Sequence, residues 1–312
     1  MTQQRPFKQV DVFTDTPYLG NPLAVVLDGT GLDTDEMQHF AHWTNLSETT
    51  FLLPPTPEAA AQGADYRVRI FTPGGELPFA GHPTLGSCHA WLQIGGVAHA
   101  SEHIVQECGV GLVRVRREGT RLAFAAPPLT RSTPSPQQMT DAATALGLEA
   151  RHIVAAQWLD NGPRWLGLLL DSEETVLSLT PNHAKLKTFG QKVGVAHIET
   201  AQTATNLIAR SNREARAFGT RSGRNAPTSD TAQAQVRAFA ASMGINEDPV
   251  TGSLNASLAQ WLIADGLAPA RYVATQGTCL GRFGQVYLCQ DPAGQVWVGG
   301  DSVTCIDGTV QL

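Results

Sequence analysis

Apolar and polar residues change places along this chain with two distinct periods. Gln9-Val10-Asp11-Val12-Phe13 alternates, as a strand with one buried face does. Asn21-Pro22 leads into the apolar run Leu23–Leu27, a second strand. From Asp33 to Trp43 the spacing becomes helical, with Asp33 or Thr34 as cap and acids in the first turn. Asn45–Glu48 reads as a turn that runs into the β-rich Thr49-Thr50-Phe51-Leu52-Leu53. Tyr66–Phe71 is a further strand, and Pro73–Pro78 a loop. A helix is predicted over Pro83–Ile94, stopped by Gly95-Gly96. Strands follow at Ile104–Cys108, Gly111–Arg117 and Arg121–Ala125.

Pro127-Pro128 and Thr133-Pro134-Ser135-Pro136 break this pattern and mark a linker. Beyond it the spacing predicts a helix over Gln137–Leu146, ended by Gly147, and strands at Ile153–Ala156, Trp165–Leu170 and Gln235–Phe239. The polar stretch Ser211–Thr231 reads as a mobile loop. A second strong helix is predicted over Ser253–Ala264, then strands at Tyr272–Thr275, Gln285–Leu288, Val296–Val298 and Val303–Val310.

The pattern repeats. His82-Pro83-Thr84-Leu85-Gly86-Ser87 and Asp248-Pro249-Val250-Thr251-Gly252-Ser253 share P-x-x-G-S, and each opens an apolar helix carrying a Trp. Each follows a V-R-x-F strand, Val68–Phe71 and Val236–Phe239. A third anchor, Gln106–Gly111 against Thr275–Gly281, comes in the same order. Three ordered anchors imply an internal duplication. The expected halves are residues 1–127 and 128–302, with the last strand, about 303–312, returning to the first half. A cleft then lies between them.

Composition narrows the function. The 312 residues carry a net charge of −6 and no block of Lys or Arg, so no nucleic-acid footprint is indicated. No run approaches the roughly 18 apolar residues of a membrane helix, so a soluble cytoplasmic protein with no membrane partner is expected. The five cysteines form no C-x-x-C pair and read as reduced, mostly buried thiols. His39-x-x-His42 and His99-x-x-x-His103 lack further ligands, so no metal site is expected. P-loop, G-x-G-x-x-G and G-x-S-x-G motifs are absent.

Proline just inside a helix start sacrifices no hydrogen bond, because that N–H had no intrahelical partner. The next amides point outward, and the helix dipole adds partial positive charge. Gly86 and Gly252 would let a ligand approach the backbone, with Ser87 and Ser253 adding hydroxyls. Two such starts facing one cleft make a receptor for a small carboxylate; helix capping alone would leave the same residues. Glu48 runs into an apolar strand. A part-desolvated carboxylate there has a raised pKa and suits proton shuttling near neutral pH, whereas a surface glutamate would look the same in sequence. His82 and Asp248 read either as its polar partners or as locally satisfied cap residues. Arg69 and Arg237 read as ligand-binding or structural, Glu247 as solvated and Cys88 as core.

Three groups of residues in each half resemble the PhzF-like isomerases of phenazine biosynthesis, which have the diaminopimelate epimerase-like fold. In the first half they are Gly20-Asn21-Pro22-Leu23-Ala24-Val25-Val26, Asn45–Phe51, and Arg69–Pro73 leading to Phe79–Gly86. In the second half they are Glu247–Ser253, Gln276-Gly277 with Gly281-Arg282, and Val298-Gly299-Gly300. The resemblance implies an α+β fold of two pseudo-symmetric domains, each a β-barrel-like sheet around a central helix. It implies a homodimer and cofactor-free proton transfer on a small carboxylate of the dihydro-hydroxyanthranilate type. It puts Glu48 at the acid/base glutamate and His82 and Asp248 at the assisting pair. It puts Gly252 and Ser253 at the carboxylate-binding helix start, Gly81 on the opposing loop, and Ser47 and Asn21 among the substrate-binding positions. Related epimerases and proline racemases use two cysteines, but Ala80-Gly81-His82 and Asp248-Pro249 stand at those places here. The expected activity is therefore an isomerisation. A lyase or dehydratase reaction on a similar substrate, and a carboxylate-binding protein without chemistry, are the alternatives. The insert-like stretch Glu214–Asp230 departs from the family pattern.

Overall fold

The computed structural model describes residues 2–100, 102–199 and 232–312. Both Ser211–Thr231 and the insert Glu214–Asp230 lie outside the described residues. The first half contains strands β1 (Gln4–Val12), β2 (Asn21–Val26), β3 (Thr49–Leu53), β4 (Tyr66–Thr72), β5 (Gly75–Leu77), β6 (His103–Cys108), β7 (Gly111–Glu118) and β8 (Arg121–Ala125). Its helices are α1 (Thr34–Thr44), α2 (Pro57–Ala61) and α3 (Gly81–Gln93). The second half contains β9 (Thr130–Ser132), β10 (Ile153–Asp160), β11 (Arg164–Leu170), β12 (Lys192–Glu199), β13 (Ala232–Ala240), β14 (Ile245–Asp248), β15 (Arg271–Gln276), β16 (Gly284–Gln290) and β17 (Val296–Gly300), and the final strand, β18 (Ser302–Gln311), lies against the first half. The helices of the second half are α4 (Pro136–Leu146), α5 (Glu173–Ser178), α6 (His183–Phe189) and α7 (Gly252–Ala264).

These 18 strands form one hydrogen-bonded sheet in two matching wraps. In the first wrap β2 runs parallel to β3, β3 antiparallel to β4, and β4 parallel to β6. In the second, β11 runs parallel to β12, β12 antiparallel to β13, and β13 parallel to β15. Strand β18 pairs along β1, β9 pairs with β10, and β8 pairs with β17 across the two wraps. Each wrap surrounds one 13-residue apolar helix, α3 or α7. A helix apolar all round belongs inside a core, and Leu85, Cys88, Leu254 and Leu258 are within 1% of complete burial. The fold is thus the α+β, diaminopimelate epimerase-like one expected from the resemblance.

The V-R-x-F repeat is structural. Arg69 lies over the Phe71 ring at 5.0 Å and Arg237 over Phe239 at 5.1 Å. Each arginine also grips, with two N–H···O bonds, a glutamate on the next hairpin strand: Arg69 to Glu76, Arg237 to Glu247. Glu247 is therefore not solvated; its side chain is 8% exposed. The aromatic ring and the planar guanidinium fix the hairpin that leads to each central helix.

The helix starts sit elsewhere than the P-x-x-G-S match suggests. Helix α3 begins at Gly81, so His82 and Pro83 lie inside its first turn. Helix α7 begins at Gly252, so Asp248-Pro249 precede it. The equivalent pairs are Gly81-His82 and Gly252-Ser253; His82 and Asp248 are not symmetry mates. Gly86 serves packing, because a Cβ there would meet Leu23 at 2.6 Å and Val12 at 2.8 Å. Ser87 is buried and donates to Thr50 Oγ1 at 2.9 Å, away from any ligand. Of the thiols, Cys88 and Cys108 are buried while Cys279 is exposed.

Candidate active site

The starts of α3 and α7 meet head to head. A Cβ on Gly252 would lie 3.1 Å from Gly81 Cα, and one on Gly81 2.8 Å from the Phe124 ring. Only glycine allows this approach without displacing backbone. The contact forms the floor of a pocket of about 810 Å³. Glu48, Gly81, His82, Asp248, Gly252 and Ser253 all line it. Asn21 and Ser47 stand behind it: Asn21 Nδ2 donates to Asp248 Oδ1 at 3.1 Å and to the Val250 carbonyl at 2.8 Å, and Ser47 Oγ donates to Asn21 Oδ1 at 3.4 Å.

Each polar group is placed by its own element. Glu48 ends the turn before β3, and its side chain is 15% exposed. His82 is held in the first turn of α3. Its Nε2 makes no hydrogen bond and faces Glu48 Oε2, also unbonded, at 3.4 Å. Asp248 ends β14 and accepts from Asn21 and from the Thr251 hydroxyl. Gln276 locks that corner: it donates to the Asp248 carbonyl at 3.0 Å and accepts from the Thr251 amide at 3.1 Å. Gln106 does the matching work in the first half, donating to Thr84 Oγ1 at 3.1 Å.

Burial governs the titrations. It raises Glu48 to about 7, against the downward pull of the Ser47 hydroxyl and the Lys192 ammonium. It raises Asp248 to about 6, with the Glu48 charge adding to the rise and Thr251, His82 and Asn21 opposing it. It lowers His82 to about 4, although Asp248, Asp11 and the Pro22 carbonyl favour its charged form. The imidazole is therefore neutral at pH 7, and its contact with Glu48 is not an ion pair. Two carboxyl groups that titrate near neutrality, beside a neutral imidazole, can take up and return a proton.

Sequence reasoning missed the opposite side of the pocket. Trp165 Nε1 donates to Ser253 Oγ at 3.3 Å, and Asn161 Nδ2 donates to the Ser253 carbonyl at 3.0 Å. Lys192 opens β12, a strand absent from the predicted elements, and lines the same pocket. Phe79, Val113, Phe124 and Ile245 give it a long apolar side. Among the described residues no three His, Cys, Asp or Glu side chains group as a metal ion requires.

Residues 10–308 match the family model for phenazine biosynthesis-like proteins, PhzC-PhzF. The chain is 32% identical to Antisense-enhancing sequence 1 of Schizosaccharomyces pombe, over 98% of each chain. It is 30% identical to a trans-2,3-dihydro-3-hydroxyanthranilate isomerase of Pseudomonas aeruginosa, covering 97% of this chain and 98% of that one. The crystal structure of a PhzF-family protein from Bacillus anthracis superposes with a TM-score of 0.78 at 20% identity, over 99% of this chain and 100% of that one. With its matching helix starts, its buried glutamate and a family match over nearly its whole length, the chain belongs to the PhzF family of phenazine biosynthesis-like isomerases.

Proposed function

We propose that this protein relocates a proton on a small carboxylic acid without a cofactor, with Glu48 as both base and acid. The observation that supports it is the Glu48 carboxyl, largely buried and 3.4 Å from a neutral His82 inside the pocket. Ionised Glu48 takes a proton from a substrate carbon. The electron pair of that C–H bond moves into the adjacent unsaturated system. Protonated Glu48 then gives the proton back to a different carbon, so atoms and charge balance. His82 Nε2 accepts a hydrogen bond from a substrate hydroxyl or amine, and Asp248 orients the same end. The first-turn amides of α7 hold the carboxylate. The Ser253 hydroxyl joins them: its oxygen already accepts from Trp165, which leaves its own proton to donate.

The relatives named for trans-2,3-dihydro-3-hydroxyanthranilate make that acid the first substrate to assay. Glu48→Gln keeps the shape and removes the base. We expect its turnover to fall by about 10²–10⁴-fold, the usual share of general acid–base catalysis. Wild-type enzyme in heavy water should place deuterium in the product. Near-full turnover by Glu48→Gln would rule this assignment out, and a product lighter by one water would indicate elimination instead.

A further inference from the structure

Lys192 occupies the place in the second half that Glu48 holds in the first. Thr49 pairs with Phe71 across β3 and β4, and Val193 pairs with Phe239 across β12 and β13. Phe71 and Phe239 correspond, since each lies under the matching arginine. Glu48 and Lys192 are the residues immediately before Thr49 and Val193. The duplicated frame thus carries opposite charges to one pocket from equivalent positions.

The lysine is half-buried, and among the described residues no carboxylate lies within ion-pair distance of it. Its ammonium sits 5.4 Å from the centre of the Trp165 ring, and that indole holds Ser253 at the start of α7. Burial pulls its pKa down, while Glu48 before β3, Asp160 at the end of β10 and Asp248 at the end of β14 pull it up. An ammonium drawn part-way out of water without a counter-ion is costly, and a bound anion offsets that cost. The other cation on the pocket, Arg114, is exposed on β7 and shared with a neighbouring recess.

We propose that Lys192 is the specificity residue of the pocket: together with the first turn of α7 it binds the substrate's carboxylate and so selects acids over neutral analogues. This rests on reading the pocket as the site of a carboxylic acid. It adds a coupling. An anion on Lys192 cancels the charge that favours ionised Glu48, so binding strengthens Glu48's hold on its proton just when one must be carried.

The test uses calorimetry on the full chain at pH 7.5, with 3-hydroxyanthranilate and its carboxamide as probes. Wild type should prefer the acid. Lys192→Met should lose tenfold or more of the affinity for the acid and keep that for the carboxamide within twofold; Lys192→Arg should recover most of the loss. In the free protein, the Glu48 carboxyl followed by ¹³C NMR should titrate higher in Lys192→Met. If Lys192 only packs on Trp165, both probes weaken alike and the titration stays put. That result, or a wild type indifferent to the carboxylate, overturns the proposal. Glu48→Gln should retain the preference for the acid, which keeps this binding result separate from the proton-transfer reading: full turnover by that variant would remove the second and leave the first standing.

Discussion

Burial, more than any single neighbour, sets the chemistry of Glu48, and it has a stability cost with a definite sign. The folded-state pKa of about 7 lies above the ordinary 4.5. Between those values the folded protein holds a proton that the unfolded chain has lost. Stability therefore falls as pH rises through this window, and the deficit is complete above about pH 7. Glu48→Gln should be more stable than wild type at pH 8, by on the order of 2–3 kcal/mol. The gap should close below about pH 4.5. Thermal unfolding at the two pH values checks this; equal melting temperatures at pH 8 would mean that Glu48 is not desolvated. The position of Glu48 at the edge of an apolar strand was visible in the sequence. Lys192 was not, because β12 is covered on both faces: Val193, Gly194, Val195 and Ala196 are all buried, so the run shows no clean period of two.

At the scale of elements, the two arginine–glutamate grips are the same device in unequal surroundings. The Arg237 and Glu247 side chains are 5% and 8% exposed, and Arg237 also donates to the carbonyls of Val176 and Leu179 at the end of α5. The Arg69 and Glu76 side chains are 17% and 38% exposed. Arg237→Met strands a buried carboxylate and should cost about 3–5 kcal/mol. Arg69→Met leaves Glu76 reachable by water and should cost about 0–1 kcal/mol. Urea unfolding of both variants measures the difference; equal losses would show that burial does not set the value of the pair. Long, strongly patterned elements such as α1, with its Asp33 cap, were readable from the sequence. The start of α7 was placed within one residue, at Ser253 against Gly252, but that of α3 was put at Pro83 instead of Gly81, because P-x-x-G-S satisfies helix-start chemistry in either register. The short helices α2, α5 and α6 span too few residues to show a period.

At the scale of the molecule, the duplication was legible because both halves preserve the same strand, hairpin and helix. Their direct joining was not, since the pairing of β8 with β17 links residues far apart in the chain and leaves no local trace. The frame is symmetric, but what it presents is not: a carboxyl from one side and an ammonium from the other. That difference has a stereochemical consequence. In the proposed arrangement, an acid anchored by its carboxylate on the Lys192 side and held at its other end by His82 and Asp248 turns one face toward Glu48. With Glu48 as the single base proposed above, the proton should leave and return on that same face, which predicts a suprafacial shift and a product of one enantiomer. A substrate deuterated at the donor carbon should carry part of its label internally to the acceptor carbon in ordinary water. Complete washout of label together with a racemic product would mean that protons reach the substrate from both sides.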